Sequence, residues 1–445
     1  MSPRFPIPPY ALTALDRLTA AGFESWLVGG CVRDLLLGRT PGDYDICTAA
    51  LPEETETVFA GERLIETGLK HGTVTVIMDG HPLEITTYRV DGGYTDARHP
   101  DKVTFTRSLR EDAARRDFTV NAMAYHPDRG LWDGFGGRQD LKNRLIRCVR
   151  DPETRFREDG LRILRALRFA SVLGFALEPE TEKAVRSTAH LLEKIAPERL
   201  SAELSKLLLG PGAGEILRNY PEVLGVLLPE LLPMAGFDQR NVHHCFDLLG
   251  HTAAAVDAVP PDLILRLTML LHDIGKTDTF SIGEDGQGHF YGHAKRSVEL
   301  ADEILHRLRY PNRVRERVLT LIRYHDTPLA PEPKQVRGWL NRLGEETFFQ
   351  LIEIHRADTL ALAPAYRDRV QTLDETAALA RSVLAETPCL TLRDLAVNGR
   401  DLMALGIQGP ALGLTLNSLL DRVLEGTLDN CRETLLEAAK AEARE

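Results

Sequence analysis

The hydrophobic pattern changes character partway along the chain. Apolar residues first recur at helical spacing from Tyr10 to Ala20, then close up into SWLVGG, which predicts a short strand ending in a turn at Gly29-Gly30. A second helix opens at Val32, and Asp43 to Cys47 predicts another strand. Thr73 to Met78 and Leu83 to Val90 are β-rich runs separated by Asp79-Gly80-His81-Pro82, the signal of an antiparallel hairpin. From about Asp140 strand signals disappear and apolar residues return at helical spacing almost to the C-terminus. Gly210-Pro211-Gly212, Pro260-Pro261 and the stretch Pro328 to Pro333 break this helical part. The pattern predicts an α+β N-terminal third followed by all-α domains. A chain of 445 residues is too long for one core, and the expected divisions are 1–140, 141–240, 241–365 and 366–445.

Composition narrows the class. Apolar residues make up 43% and charged residues 27%, as in a soluble globular protein. No apolar run approaches the roughly 18 residues a bilayer crossing needs, and MSPRFPIPPY lacks a signal-type hydrophobic stretch, so no membrane partner is expected. The cysteines (Cys31, Cys47, Cys148, Cys245, Cys389, Cys431) are scattered without a CxxC pair, which suits reduced thiols in a cytoplasm. A net charge of −11 opposes binding to a phosphate backbone unless positive charge is gathered locally. It is gathered in Arg144, Arg147, Arg150, Arg155, Arg157, Arg162, Arg165 and Arg168.

Two features of the first 50 residues point to phosphate chemistry. Gly29-Gly30 with Arg33 and Asp34 marks a strand-to-helix turn where a phosphate can approach the backbone and meet a guanidinium. Asp43-x-Asp45 on a strand places two carboxylates on one face, able to hold Mg²⁺ ions between a triphosphate and an attacking hydroxyl. Each alone has an ordinary reading, a common turn or a solvated acidic pair; their closeness favours the chemical one. Glu84 in LEITTYR is the candidate third acid, a surface glutamate its alternative.

LVGGCVRDLLLG, DYDI, RRDFTVNAMAY, DGFGGRQDL and REDGLRILRALRF follow one another between about residues 25 and 170. As a set they resemble the class II tRNA nucleotidyltransferase and bacterial poly(A) polymerase family of the DNA polymerase beta superfamily. The resemblance implies a polymerase beta-like mixed sheet with helices in the head. It implies that Gly29, Gly30, Arg33 and Asp34 hold the triphosphate of CTP or ATP and that Asp43 and Asp45 hold Mg²⁺. Arg115, Arg116, Asp117 and Asn121 would contact ribose and phosphates. Asp117 and Asn121, four apart on an expected helix, share a face toward sugar hydroxyls; Asp117 as a helix cap is the plainer reading. DGFGGRQDL reads as a glycine-rich turn without chemistry of its own.

Base choice falls to Asp159 and Arg162, three apart at an expected helix start, with Arg165 one turn further. Asp159 only accepts and Arg162 only donates. Cytosine and adenine both present an amino donor beside a ring acceptor, whereas uracil and guanine present a carbonyl beside a ring N–H. The pair therefore suits C and A, with an intrahelical ion pair as the alternative. The polar segment GGYTDARHPDKVTFTRS, with Arg98 and His99, resembles the flexible loop kept by full CCA-adding enzymes, and APERLSAELSKLLLG resembles the family's neck, with Arg199 a contact there.

Further on, the apolar run LILRLTMLL ends in His272-Asp273-x-Gly275-Lys276, preceded by His251 and followed by His293, His325 and Asp358. Imidazoles and carboxylates suit divalent transition metals or Mg²⁺. This series resembles the HD phosphohydrolase superfamily, with His251, His272, Asp273 and Asp358 as core ligands and His293 and His325 completing a second metal position or binding phosphate. The tail from LAVNGRDLMALGIQGPALG resembles the family's C-terminal segment, a helical surface for tRNA docking or for pairing into a homodimer. The expected activity is addition of CCA to tRNA from CTP and ATP, with HD hydrolysis behind it. The rivals are a poly(A) polymerase, an enzyme adding only CC or A, and an HD hydrolase with a nucleotide-sensing front.

Overall fold

The computed structural model describes residues 5–65, 68–92, 103–284, 286–386 and 389–443; Arg98 and His99 lie outside them. The chain divides into two compact units, 1–232 and 233–445.

In the first unit, α1 (Pro9–Ala20) leads to β1 (Ser25–Val28), α2 (Gly30–Leu36) and β2 (Asp45–Thr48). β3 (Arg63–Ile65), β4 (Thr73–Met78), β5 (His81–Thr87), β6 (Ala124–His126) and β7 (Gly130–Trp132) complete a mixed seven-stranded sheet, ordered β3-β4-β5-β2-β1-β6-β7. Neighbours are antiparallel except β2 and β5, which run parallel with Asp45 opposite Glu84. The β4–β5 hairpin turns on Asp79 and Gly80 alone, with φ of 49° and 80°. Paired positive φ values match the twist of the flanking strands, so His81 and Pro82, expected in the turn, belong to β5.

Where the spacing predicts an α-helix over Asp117 to Asn121, the chain makes a single 3-10 turn, Thr119–Asn121. Phe118 is extended and bridges to Cys148, and the β-branched Thr119 and Val120 resist a longer helix. Gly137, from the glycine-rich turn, supports this corner: a Cβ there would come within 2.2 Å of the Thr119 carbonyl oxygen.

The helices α3 (Pro152–Glu158), α4 (Leu161–Leu173) and α5 (Pro197–Leu208) follow. Asp151 starts α3 by accepting from the Thr154 amide at 2.8 Å, and Gly174, at φ 66°, ends α4. α4 packs on α5, and both helices carry fully buried leucines, Leu164 and Leu167 on α4 and Leu204 and Leu207 on α5. Each such side chain contributes roughly 1.5–3 kcal/mol. The helical region also carries strands the pattern misses: Leu145–Ile146 pairs with Ala176–Leu177, and Ser281–Ile282 with Gly288–His289. Two-residue strands are too short to show an alternation.

In the second unit, α6 (Leu248–Ala258), α7 (Leu263–Leu271), α8 (His293–Arg307), α9 (Asn312–Tyr324), α10 (Pro333–Leu360) and α11 (Arg369–Ala385) form a helical bundle. α7 is central, packed against α6, α9 and α10, which is why LILRLTMLL is apolar almost all round. α10 kinks at Gly344, whose φ is 73°. Three closing helices, Gly399–Ala404, Pro410–Leu424 and Arg432–Glu442, bury their own cluster around Leu402, Leu419 and Leu435. Among the described residues, no helix is long and apolar enough to cross a membrane. All six cysteines are free.

Candidate active site

β1 ends at Val28 and the chain turns at Gly29, with φ of 77°. A Cβ at Gly29 would stand 3.1 Å from Nη1 of Arg116 and 4.0 Å from Oδ2 of Asp45, so this turn touches both charges. Asp45 opens β2, and Asp43 stands just before that strand. Parallel pairing brings Glu84, exposed on β5, beside Asp45. Burial, then the charges of Asp43 and Glu84, push the Asp45 carboxyl up to about 6, against the opposing pull of Arg116. Three acids crowded about one cation leave negative charge in excess, the condition that suits a divalent metal.

The carboxylates border a cavity of about 550 Å³. Gly29, Gly30, Arg33, Asp43, Asp45, Arg115, Arg116, Asp117, Asn121, Asp159, Arg162 and Arg165 line it, together with Arg168, Phe169 and Arg199. Asp34 and Glu84 do not: the Asp34 carboxylate takes two bonds from the Arg33 guanidinium, at 2.9 and 3.1 Å. Arg33 is steadied again by donating to Oδ1 of Asn121 at 2.8 Å. Asn121 donates to Asp117 at 3.2 Å, so these two side chains meet without sharing an α-helix. Arg165 donates to Asp117 at 2.6 and 2.9 Å. Burial works against the Asp117 charge, but Arg165 outweighs it and holds the carboxyl down at about 2.

Asp159 and Arg162 are not side by side on one helix. Asp159 is extended, with φ −142° and ψ 104°, at the junction where α3 ends and α4 begins. It is held from α5, by Arg199 donating to its Oδ2 at 3.0 Å, and it accepts from the Leu161 amide at 3.1 Å. Arg162, in the first turn of α4, donates to Glu158 at 2.6 Å and to the Arg115 carbonyl at 3.2 Å. The intrahelical Asp159–Arg162 ion pair is therefore replaced by two separate anchors, and both side chains line the cavity. Of the eight clustered arginines, Arg162, Arg165 and Arg168 reach it. Sequence reasoning counted Arg168 only among the clustered arginines and missed Phe169 and the buried Glu203 that pairs with Arg168 at 2.7 Å. The three-residue spacing of Arg162, Arg165 and Arg168 is the signal that could have found Arg168.

The second unit holds another polar cluster. His272 and Asp273 follow the end of α7; α6 brings His251, α10 Asp358, α8 His293, and His325 follows α9. Nε2 of His251 lies 3.0 Å from Oδ1 of Asp358 and 3.5 Å from Oδ2 of Asp273. Nε2 of His272 lies 3.2 Å from the same Asp273 oxygen. The other Asp273 oxygen faces His293 and His325, at 3.5 and 3.6 Å. Nδ1 of His272, His293 and His325 each meets a backbone carbonyl, at 2.8, 2.9 and 2.7 Å. A carbonyl cannot donate, so each Nδ1 carries the hydrogen and each Nε2 is left to bind a cation. Burial opposes a charged imidazole, yet Asp273 and Asp358 outweigh it and raise His272 to about 10, so the same carboxylates that draw a proton to its Nε2 would favour a metal cation in the proton's place. The adjoining cavity, about 230 Å³, is also lined by Asn241, His244, Lys276 and Arg369, none of them anticipated as site residues. His244, in the pair His243-His244, and Lys276 beside Gly275 were the visible signals.

Comparison with known proteins places this geometry in a family. Residues 25–147 match the "Poly A polymerase head domain", residues 174–233 the "Probable RNA and SrmB- binding site of polymerase A", and residues 290–439 a second domain of tRNA nucleotidyltransferases. The CCA-adding enzyme of Lactobacillus helveticus is 35% identical over 428 residues, covering 96% of this chain and 95% of that one. The CCA-adding enzyme of Geobacillus stearothermophilus is 34% identical over 436 residues, covering 96% of each. Among solved structures, the Bacillus stearothermophilus CCA-adding enzyme in complex with CTP superposes with a TM-score of 0.73 at 31% identity, over 98% of both chains. The Thermotoga maritima CCA-adding enzyme complexed with tRNA, at 21% identity and a TM-score of 0.60, shares the fold. With full-length relatives at such identity and with these side chains gathered in one cavity, the protein belongs to the family of CCA-adding enzymes.

Proposed function

We propose that the first unit adds C and A to the 3′ end of tRNA, using CTP and ATP. The observation that carries this reading is one cavity lined both by the Asp43–Asp45 pair and by Asp159 and Arg162. Asp43 and Asp45 are assigned to hold Mg²⁺, with Glu84 adding charge from β5; bound there, the metal would neutralise the triphosphate and acidify the attacking hydroxyl. Arg33 and Arg116 are assigned to the phosphates, with Asp117 and Asn121 at the ribose. The 3′ oxygen of tRNA bonds to the α-phosphorus, the bond to pyrophosphate breaks, and the hydroxyl proton passes to a carboxylate of the site or to water.

Base selection follows from anchoring. Arg199 and Glu158 fix Asp159 and Arg162 before a nucleotide arrives, so little conformational freedom is lost on reading a base. Asp159 keeps acceptor capacity for the amino group of C or A. Replacing Asp159 by alanine is expected to raise UTP use relative to CTP by about 10- to 100-fold, the loss of about 1–3 kcal/mol of mismatch penalty. Comparing kcat/KM for CTP and UTP measures it.

The activity itself is tested on tRNA ending at the discriminator base. CTP alone should extend it by C only, ATP alone not at all, and the mixture to CCA. Addition of A only, in every mixture, would overturn the reading in favour of an A-adding enzyme or a poly(A) polymerase.

We infer a second active centre, of HD phosphohydrolase type, in the second unit. His251, His272, Asp273 and Asp358 would hold one divalent transition metal, and Asp273, His293 and His325 another. The fit rests on an observation: Nε2 of His293 and of His325 face each other at 3.2 Å while both Nδ1 hydrogens are committed to carbonyls. Two bare lone pairs so close repel unless a cation or a shared proton lies between them. Bound there, metals would lend Lewis acidity toward a phosphate ester and its attacking water. Cyclic or terminal phosphates on damaged tRNA ends are the proposed substrates, since nucleotide addition needs a free 3′ hydroxyl.

A further inference from the structure

α10 and α11 pack on one another, and two cavities lie along them. The first, of about 230 Å³, is the one beside the HD residues. The second, of about 290 Å³, is walled by α10, α11 and the segment after α9. His325, Asp326, Asp358 and Arg369 line both. One helical turn past Asp358, Leu362 faces the first cavity; one turn before it, His355 faces the second. On α11 the second cavity runs on from Arg369 to Thr372 and Leu373. The two are neighbours with a common rim. Their walls differ: imidazoles and carboxylates dominate the first, whereas Pro328, Leu329 and Leu373 give the second an apolar side. Nε2 of His355 meets the Tyr324 carbonyl at 3.2 Å, so it carries the hydrogen and leaves Nδ1 as an acceptor. Burial pushes this imidazole down to about 4, which keeps it uncharged. The rim holds two opposite charges, the exposed Asp326 and Arg369, and among the described residues neither side chain makes an ion pair or a hydrogen bond.

A cavity built for an anion, next to one that is half apolar and uncharged, suits a molecule with a phosphate at one end and a flat, weakly polar body at the other. We propose that the second cavity holds the base and sugar of a nucleotide whose phosphate ester lies in the first, with Arg369 donating to the phosphate and Asp326 accepting from a ribose hydroxyl. This inference rests on the HD phosphohydrolase reading and names the body that carries its phosphate. The second cavity is at the small end of the range for ligand sites and has room for one nucleoside, not two. The phosphate presented to the HD residues therefore belongs to a terminal nucleotide, and an internal linkage, flanked by nucleosides on both sides, is excluded.

The test uses full-length Asp45→Asn protein, so that the second centre alone holds metal, loaded with Mn²⁺, desalted, and mixed with adenosine and inorganic phosphate. Paramagnetic Mn²⁺ should speed relaxation of both the phosphate phosphorus and the adenosine ring protons. Adding Thr372→Trp, which fills the second cavity, should abolish the effect on adenosine while the bound Mn²⁺ and the phosphate response persist. Asp326→Ala should weaken adenosine about tenfold and 2′,3′-dideoxyadenosine by less than about twofold. Arg369→Ala, at an exposed position, should raise KM for adenosine 2′-monophosphate about tenfold. Adenosine left unrelaxed while phosphate responds, or relaxed equally in Thr372→Trp, would overturn the nucleoside cavity and leave the HD reading standing. Protein that retains no Mn²⁺ and leaves phosphate unrelaxed would overturn the HD reading and this inference with it.

Discussion

Replacing Asp45 by asparagine should reduce nucleotide addition at least about a thousandfold, with CTP and with ATP alike. Asparagine keeps the size of the side chain, so the expected loss is one of charge alone. Asp45 is the most crowded of the three acids, its carboxyl lifted to about 6 by burial, Asp43 and Glu84. Removing its charge relieves that repulsion, so the variant should be no less stable than the wild type. What it loses is one of the two carboxylates assigned to a divalent cation beside the triphosphate. A thousandfold corresponds to about 4 kcal/mol of transition-state stabilisation. Single-turnover incorporation into tRNA lacking CCA measures the effect, with phosphohydrolase activity of the same preparation as the control. A rate within tenfold of wild type would remove Asp45 from the metal assignment. Loss of both activities would argue against two separate centres.

The second large effect is expected at Asp273. Its two carboxylate oxygens face different partners, Oδ2 toward His251 and His272 and Oδ1 toward His293 and His325. Asp273→Asn should therefore empty both proposed metal positions at once. Bound metal, counted after loading with Mn²⁺ or Ni²⁺ and desalting, should fall to background, and hydrolysis of a 2′,3′-cyclic nucleotide with it. His293→Ala should lose only the second position. Lys276, buried 2.7 Å from Oδ2 of Asp273, would lose its charged partner in Asp273→Asn and keep only the Gln239 side chain, and breaking a buried ion pair costs about 3–5 kcal/mol. The His293→Ala variant spares that contact and separates lost metal from lost fold. Nucleotide addition should persist in both. Metal retained by Asp273→Asn would show that this carboxylate does not bridge the two sets.

The candidate chemistry was legible where it depends on neighbours in sequence. A glycine at φ 77° followed by a helix, two aspartates separated by one residue, and an apolar run ending in His272-Asp273 are local facts. Backbone sterics and side-chain periodicity act over a few residues, so such features can be read from the chain. The β4–β5 hairpin was legible for the same reason, although its turn proved tighter than the spacing suggested, because Asp79 and Gly80 alone supply the required positive φ values.

Function across distance was not legible. Asp159 looked like the partner of Arg162, three positions away; folding instead joins it to Arg199, 40 positions on, and gives Arg162 to Glu158. Glu84 was a candidate third acid with a surface glutamate as its alternative, and only parallel pairing set it opposite Asp45. By itself the sequence determined the longer strands and helices and which side chains were candidates for chemistry, since both follow from local geometry and residue type. Only the tertiary structure decided which charges neutralise one another and which stay available, because that depends on packing among elements far apart in the chain.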